Sequence, residues 1–307
     1  MFQRILVPLD GSELAENALP VAFRLAKNNR SDIILIRVPV LGDIAAYASA
    51  AGEIPWQEEI YDTGYQNAQE YLHQIERRHD QPGMNIKTEI IAGDPASTIV
   101  DYARTENIDM IVMCTHGRTG ISRWVLGSTT EKVMRHAHCP VFVVRSEDHI
   151  KHLLITLDGS ELAESAVPVG IAVAHQLNTK LSLLSVESPP DAEILKSAAE
   201  LEHAEPGLGD RLIDGAYHRL ENYLNNYVRA HHVGEILPEK PTIEVIEGSP
   251  ATTILDYAES QDVDLIVMAT HGRTGLRRWM FGSVTEKVLH NTKAAMLIVR
   301  PPAETLK

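Results

Sequence analysis

Two glycine-rich stretches of the chain have the spacing to hold a phosphate. The first reads Thr115-His116-Gly117-Arg118-Thr119-Gly120, then residues 121–126, then Gly127-Ser128. The second reads Thr270-His271-Gly272-Arg273-Thr274-Gly275, then residues 276–281, then Gly282-Ser283. In both, Gly-x9-Gly-Ser follows an apolar run and opens a helical pattern. A strand that ends in glycines and restarts as a helix turns free backbone N–H groups toward one place, a site for an anion and most often a nucleotide phosphate. Gly117 and Gly127 let the backbone approach phosphate oxygens without a Cβ in the way. Ser128 starts the helix and adds a hydroxyl to the positive end of the dipole. Asp10, at the end of the first apolar run, would accept a hydrogen bond from a ribose hydroxyl or an adenine amine. The second half offers Asp158, Gly272, Gly282 and Ser283 in the same places. A plain chain reversal with a helix cap would also use these glycines, but two copies, each behind an apolar strand, favour a ligand.

Other chemistries find less support. His116 and His271 precede the glycines without a paired nucleophile, so they read weakly as catalysts. The fourteen histidines form no HxxxH or HExxH set, and no protein-held metal site is expected. Magnesium would arrive with a triphosphate, whose oxygens suit it. Cys114 and Cys139 form no CxxC and have no equivalents in the other half, so no disulfide framework is expected. Arg118, Arg123, Arg273, Arg277 and Arg278 on the loops read equally as solvated charge or as phosphate screens. Trp124 and Trp279 match each other and read as loop packing.

The formal net charge of −14 argues against nucleic acid as a partner, because backbone phosphate binding needs a basic patch. It leaves a mononucleotide open. No apolar run reaches the ~18–20 residues of a membrane span. The first residues run straight into a strand without a signal-peptide pattern. A cytoplasmic location is therefore expected.

The elements that position these residues come in duplicate. Asp10 to Glu16 recurs identically as Asp158 to Glu164, and Gly93-Asp94-Pro95-Ala96 recurs as Gly248-Ser249-Pro250-Ala251. Aligned without gaps, residues 115–134 and 270–289 share 14 of 20 positions. Such a repeat means a duplicated domain, with boundaries expected at 1–147 and 150–307 around a polar linker. Each half reads as βαβαβαβαβ. Apolar strands are expected at 4–9, 32–38, 84–91, 110–114 and 141–145, with counterparts that include 242–246, 265–269 and 295–299. Helices are expected from Ser12 to about residue 29, with a kink at Pro20 repeated at Pro168, and at 58–79, 128–138, 210–231 and 283–291. Asp94 and Ser249 are expected to cap helices that begin at Pro95 and Pro250. Alternation of strand and helix implies a doubly wound α/β fold with a parallel sheet. Ligands bind such sheets beyond the carboxyl ends of the strands, at the switch point between the first and fourth. Residues 39–56 and 188–209 differ most between halves and read as surface excursions.

This pattern resembles the universal stress protein family in its tandem-domain form, over nearly the whole chain and twice. The specific piece is that family's signature G-x2-G-x9-G-(S/T), present as Cys114-x2-Gly117-x9-Gly127-Ser128 and Ala269-x2-Gly272-x9-Gly282-Ser283. The early Asp-Gly-Ser and the Cys139-Pro140-Val141-Phe142-Val143-Val144 segment are similar too. The resemblance implies two five-stranded Rossmann-like sheets in the order 3-2-1-4-5, and ATP as ligand. The family's adenosine contacts map to Pro8, Asp10, Val38, Met113 and Cys114, and to Thr156, Asp158, Val186, Met268 and Ala269. Its phosphate contacts map to Gly117, Gly127, Ser128 and Thr129, and to Gly272, Gly282, Ser283 and Val284. Family dimers pair through the last strand, which implies an internal pseudo-dimer here and allows a further homodimer. The signature's first glycine is Cys114 in one half and Ala269 in the other, and the bulkier cysteine singles out the first site as the less suited.

The leading expectation is a stress-response protein that binds ATP at one or both loops, acts by binding rather than turnover, and passes its state to a protein partner. One alternative is a slow ATPase or nucleotidyl-transfer enzyme using His116 or His271. Another is a degenerate pair holding a non-nucleotide ligand, with residues 44–51 as lining or lid.

Overall fold

The computed structural model describes residues 2–27, 30–39, 57–115, 126–145, 149–188, 208–231, 233–237, 239–270 and 281–300. The chain divides into two compact units, Met1–Asp148 with Ala295–Arg300, and His149–Ala294 with Pro301–Lys307.

In the first unit, β1 (Arg4–Pro8) runs parallel to β2 (Asp32–Arg37), from Arg4↔Asp32 to Pro8↔Ile36. On its other side, β1 pairs with β4 (Met110–Cys114) at Ile5↔Met110. Strand β3 (Asn85–Ile90) lies beyond β2, and β5 (Val141–Val144) beyond β4, both parallel. The order is β3-β2-β1-β4-β5. Strand β10 (Ala295–Val299) also belongs to this unit and runs antiparallel to β5, with Leu297 opposite Phe142. Central strands of a parallel sheet are covered on both faces and read as unbroken apolar runs. Accordingly Ile5, Leu6, Val7 and the whole of β4 are buried. The edge strand β3 is instead half-exposed, and its Lys87 pairs with Asp32 of β2 at 2.7 Å. A charged edge discourages further strand pairing.

The second unit repeats the first four strands of this scheme. Strand β6 (His152–Leu157) lies between β7 (Lys180–Glu187) and β9 (Leu265–Ala269), and β8 (Thr242–Glu247) lies outside β7, all parallel. The doubly wound α/β architecture read from the sequence is thus present.

One helix expectation needs correction. The segment after Ser12 is two helices, α1 (Glu13–Glu16) and α2 (Ala18–Lys27), that break at Asn17. The second unit breaks in the same way between α6 (Glu161–Glu164) and α7 (Ala166–Leu177) at Ser165. Pro20 and Pro168 sit third in the new helices. A proline ring excludes the carbonyl four residues before it, here Glu16 and Glu164, so the first helix ends there instead of bending through. The other helices follow the reading closely. They are α3 (Gln57–His79), α4 (Pro95–Thr105) and α5 (Ser128–His136) in the first unit. The second has α8 (Leu208–Ala230), α10 (Pro250–Ser260) and α11 (Ser283–Asn291). A short α9 (Val233–Ile236) was not foreseen; it seats the fully buried Val233.

Candidate functional site

The carboxyl ends of β1 and β4 come together because the two strands pair directly, and those of β6 and β9 do the same. Beyond β1 the chain turns through Asp10-Gly11-Ser12. Gly11 takes φ +84° and Gly159 φ +77°, a left-handed conformation that favours glycine. Asp10 Oδ1 accepts from the Ser12 N–H (3.0 Å) and hydroxyl (2.6 Å), while the Ser12 oxygen caps α1 by accepting from Ala15 N–H at 3.1 Å. Asp158, Ser160 and Ala163 repeat this at 3.0, 2.6 and 3.2 Å. The motif therefore fixes its carboxylate against its own turn.

The far end of the glycine loop is held as tightly. The Gly127 N–H donates to the Thr115 carbonyl at 2.7 Å, and Gly282 N–H to Thr270 at 2.8 Å. The Thr130 hydroxyl donates to the Cys114 carbonyl (3.0 Å), and Thr285 to Ala269 (3.1 Å), all buried. A Cβ on Gly127 would fall 2.9 Å from the Thr115 carbonyl oxygen, closer than a side chain tolerates. Gly127 and Gly282 are the N-caps of α5 and α11, and neither supplies a side-chain cap bond. The first-turn N–H groups of a helix have no partner within it, so these amides, with the positive end of the dipole, are available to an anion. Glu131 in the first turn of α5 would oppose an anion, but it is paired to Arg135 at 2.8 Å.

The residues proposed from the sequence fall as follows. Pro8 and Asp10 stand at the end of β1, Val38 just past β2, and Met113 and Cys114 at the end of β4. Gly127, Ser128 and Thr129 open α5, with Ser128 exposed. In the second unit Thr156 and Asp158 lie at the end of β6, Val186 near the end of β7, Met268 and Ala269 at the end of β9, and Gly282, Ser283 and Val284 at the start of α11. Each set gathers at the carboxyl end of its sheet. Gly117, Gly272, His116, His271, the loop arginines, Trp124, Trp279 and residues 44–51 lie outside the described residues.

Sequence reasoning passed over three neighbours of the first site. Arg37 ends β2 and packs against Gly11, Tyr71 of α3 lies beneath that guanidinium at 5.1 Å, and Arg145 follows β5 beside Cys114. Burial lowers the pKa of Arg145, and Cys114 opposes that shift. A cation at the end of an apolar strand is the signal that could have found both arginines. Cys114 and Cys139 are buried free thiols, and burial pushes Cys139 up to about 12, so it is not a thiolate near neutrality. Among the described residues, no group of three or more His, Cys, Asp or Glu could hold a metal, and no helix is long and apolar enough to cross a membrane.

Comparison with known proteins agrees with this geometry. A universal stress protein of Methanocaldococcus jannaschii is 34% identical over 145 residues, 47% of this chain and 83% of that protein. One of Mycobacterium tuberculosis strain H37Rv is 25% identical over 311 residues, 96% of each chain. A crystal structure of a universal stress protein from Archaeoglobus fulgidus covers 98% of this chain and 99% of its own, with TM-score 0.66 and 18% identity. That likeness concerns the fold. The Universal stress protein family model matches twice, over residues 1–145 and 149–300. The chain belongs to the universal stress protein family and carries its domain in tandem.

Proposed function

We propose that the chain binds ATP at the glycine loop of each domain, 1–147 and 150–307, and acts in the stress response of the cytoplasm by binding a protein partner rather than by turnover. The observation that carries this is the loop geometry found twice: a glycine N-cap bonded to the strand end at 2.7 and 2.8 Å, ahead of a nine-residue helix whose cap position bears no side chain. A Cβ at Gly127 would collide with the strand, so glycine lets the start of the helix, with its first-turn amides, sit this close to the strand end.

In this reading the amides of Ser128 and Thr129, and of Ser283 and Val284, receive the phosphates beside the Cβ-free backbone of Gly127 and Gly282, together with Gly117 and Gly272. Asp10 and Asp158 accept from the ribose. Pro8, Val38, Met113 and Cys114 line the adenosine end in one domain, and Thr156, Val186, Met268 and Ala269 in the other. Mg2+ comes with the triphosphate, whose oxygens supply most of its ligands. In the sequence His116 and His271 precede the glycines without a paired nucleophile, which supports binding over hydrolysis.

Thermal unfolding with and without Mg-ATP tests this. A ligand that binds only the folded chain stabilises it by about 2.7 kcal/mol per site at a hundredfold excess over Kd, so the midpoint rises with ATP concentration. Phosphate release in the same samples stays near background. Turnover of about 1 per second or faster, an ordinary enzyme rate, would sink the binding-only reading. An unchanged midpoint at millimolar Mg-ATP would sink the nucleotide itself.

A further inference from the structure

We infer that Arg37 is a positioning residue for Asp10, and that it makes the first nucleotide site recognise ribose differently from the second. The inference rests on the ATP reading above. Arg37 follows Ile36, whose carbonyl accepts from Leu9 N–H at 2.9 Å, so it stands level with the turn after β1. Its guanidinium is folded onto that turn. A side chain at Gly11 would project straight into it, with Cζ and Nη2 at 3.0 Å. The same group lies over the Tyr71 ring, 5.1 Å from its centroid, within cation–π range.

Tyr71 is itself anchored. Its hydroxyl donates to Glu16 Oε1 at 3.2 Å, and Glu16 also pairs with Arg78 at 3.3 Å. Burial and then Glu16 raise the Tyr71 pKa, while Arg37 lowers it. A physical chain thus runs from α3 through Tyr71 and Arg37 to Gly11, and Gly11 is bonded directly to Asp10. Both bonds that Asp10 makes to Ser12 fall on Oδ1. With the turn braced from below, Oδ2 is held in one direction for a ribose hydroxyl.

The second domain has every part of this chain except the arginine. Tyr223 donates to Glu164 at 2.7 Å, Gly159 keeps its left-handed turn, and Asp158 holds Ser160. At the position of Arg37, five residues into the strand, stands Ser185, 1% exposed. A serine cannot reach across to brace the turn. Both aspartates keep the same two bonds to their serines, and what the first site adds is a cation braced against the turn that carries its carboxylate.

Methionine-methyl NMR on the full chain resolves the two sites, because Met113 ends one central strand and Met268 the other. The probes are Mg-ATP and 2′,3′-dideoxy-ATP, which lacks both ribose hydroxyls. In the parent protein, the Met113 signal is expected to respond to ATP at concentrations well below those for the dideoxy compound. Arg37→Ser should weaken ATP at the first site about tenfold, the scale of one hydrogen bond to a charged group. It should leave the dideoxy compound unchanged there, and leave Met268 unaffected with either ligand. Arg37→Lys, which keeps the charge but not the flat fork, should recover only part of the preference. A merely structural arginine would weaken both ligands equally, and that result overturns the inference. If Met113 responds to neither ligand in the parent protein, the nucleotide reading of the first site fails first and this inference with it.

Discussion

The two domains build one frame from nearly the same hydrogen bonds and then line it with different side chains. Gly127 and Gly282 bond to their strand ends at 2.7 and 2.8 Å, and Thr130 and Thr285 to the neighbouring carbonyls at 3.0 and 3.1 Å. Asp10 and Asp158 hold their serines at the same 2.6 Å. What varies beside that frame is charge and bulk, Arg37 against Ser185 and Cys114 against Ala269, and farther from it Arg4 stands against His152 and Asp94 against Ser249. Bonds that end on backbone atoms tie each helix start to its strand end, and losing one leaves a buried carbonyl or amide without a partner. Side chains that carry none of these bonds bring no such penalty and are free to diverge. The shape of the frame and the chemistry of the side chains beside it are thus separately encoded.

The strongest way to break the shared frame is Gly127→Val. Its branched side chain would meet the Thr115 carbonyl, which lies 2.9 Å from the first added carbon alone. The Met113 response to ATP should vanish while Met268 still titrates, and stability should fall by about 1–3 kcal/mol, the usual cost of overpacking. Survival of the first site would show that the seating of Gly127 on the strand end does not matter to the ligand.

Exchanging the lining residues sharpens the contrast with a smaller effect. Cys114→Ala should tighten the first site, and Ala269→Cys should loosen the second, each by about 1 kcal/mol or several-fold, the scale of one small group in a pocket. Site-resolved titration reads both. Equal affinities in all variants would mean that this position does not face the ligand.

A third contrast lies at the opposite end of the first strands. Arg4 bonds to the Glu106 carbonyl and pairs with its carboxylate at 3.0 Å. In the second domain His152 Nδ1 donates to the Gln261 carbonyl (2.9 Å) and its Nε2 accepts from the Ser182 hydroxyl (2.8 Å), and burial lowers its pKa below the ordinary 6.5. The folded chain then binds fewer protons than the unfolded one. The stability from neutral His152 is full above about pH 6.5 and is lost as pH falls through the lowered folded value. His79 and His138, also lowered by burial, add slope of the same sign. His152→Gln should flatten part of the acid loss in urea midpoints. An unchanged slope would contradict the assignment.

The smallest contrast is at the caps of α4 and α10. Asp94 accepts from Ser97 N–H at 3.0 Å, and that bond lowers its pKa, whereas Ser249 makes no side-chain cap bond. Asp94→Ala should lower the thermal midpoint measurably, and Ser249→Ala should leave it in place. A reversal would mean that the caps are not as described.

Much of this was legible in the sequence because it rests on local rules. Apolar runs such as 110–114 and 265–269 mark central parallel strands directly. Asp94-Pro95 marks a helix start, and the repeat of Asp-Gly-Ser with Gly-x9-Gly-Ser locates both strand ends. The broken first helix was misread as a kink, because a proline in the first turn of a helix and one in its interior look alike without the register. Arg37 and Tyr71 were missed for a different reason. They meet only through folding, from a strand end and a helix 34 positions later in number, and no local pattern links them. The contrast between Asp94 and Ser249 was hidden too, since either residue type can cap and only geometry shows which does.

The central claim is that both glycine loops take ATP. Calorimetric titration of the ligand-free chain with Mg-ATP tests it most directly. The account predicts saturable heat with two ATP per chain and two distinguishable affinities. A single ATP per chain would break the two-site form of the account, and no heat at millimolar Mg-ATP would contradict it outright.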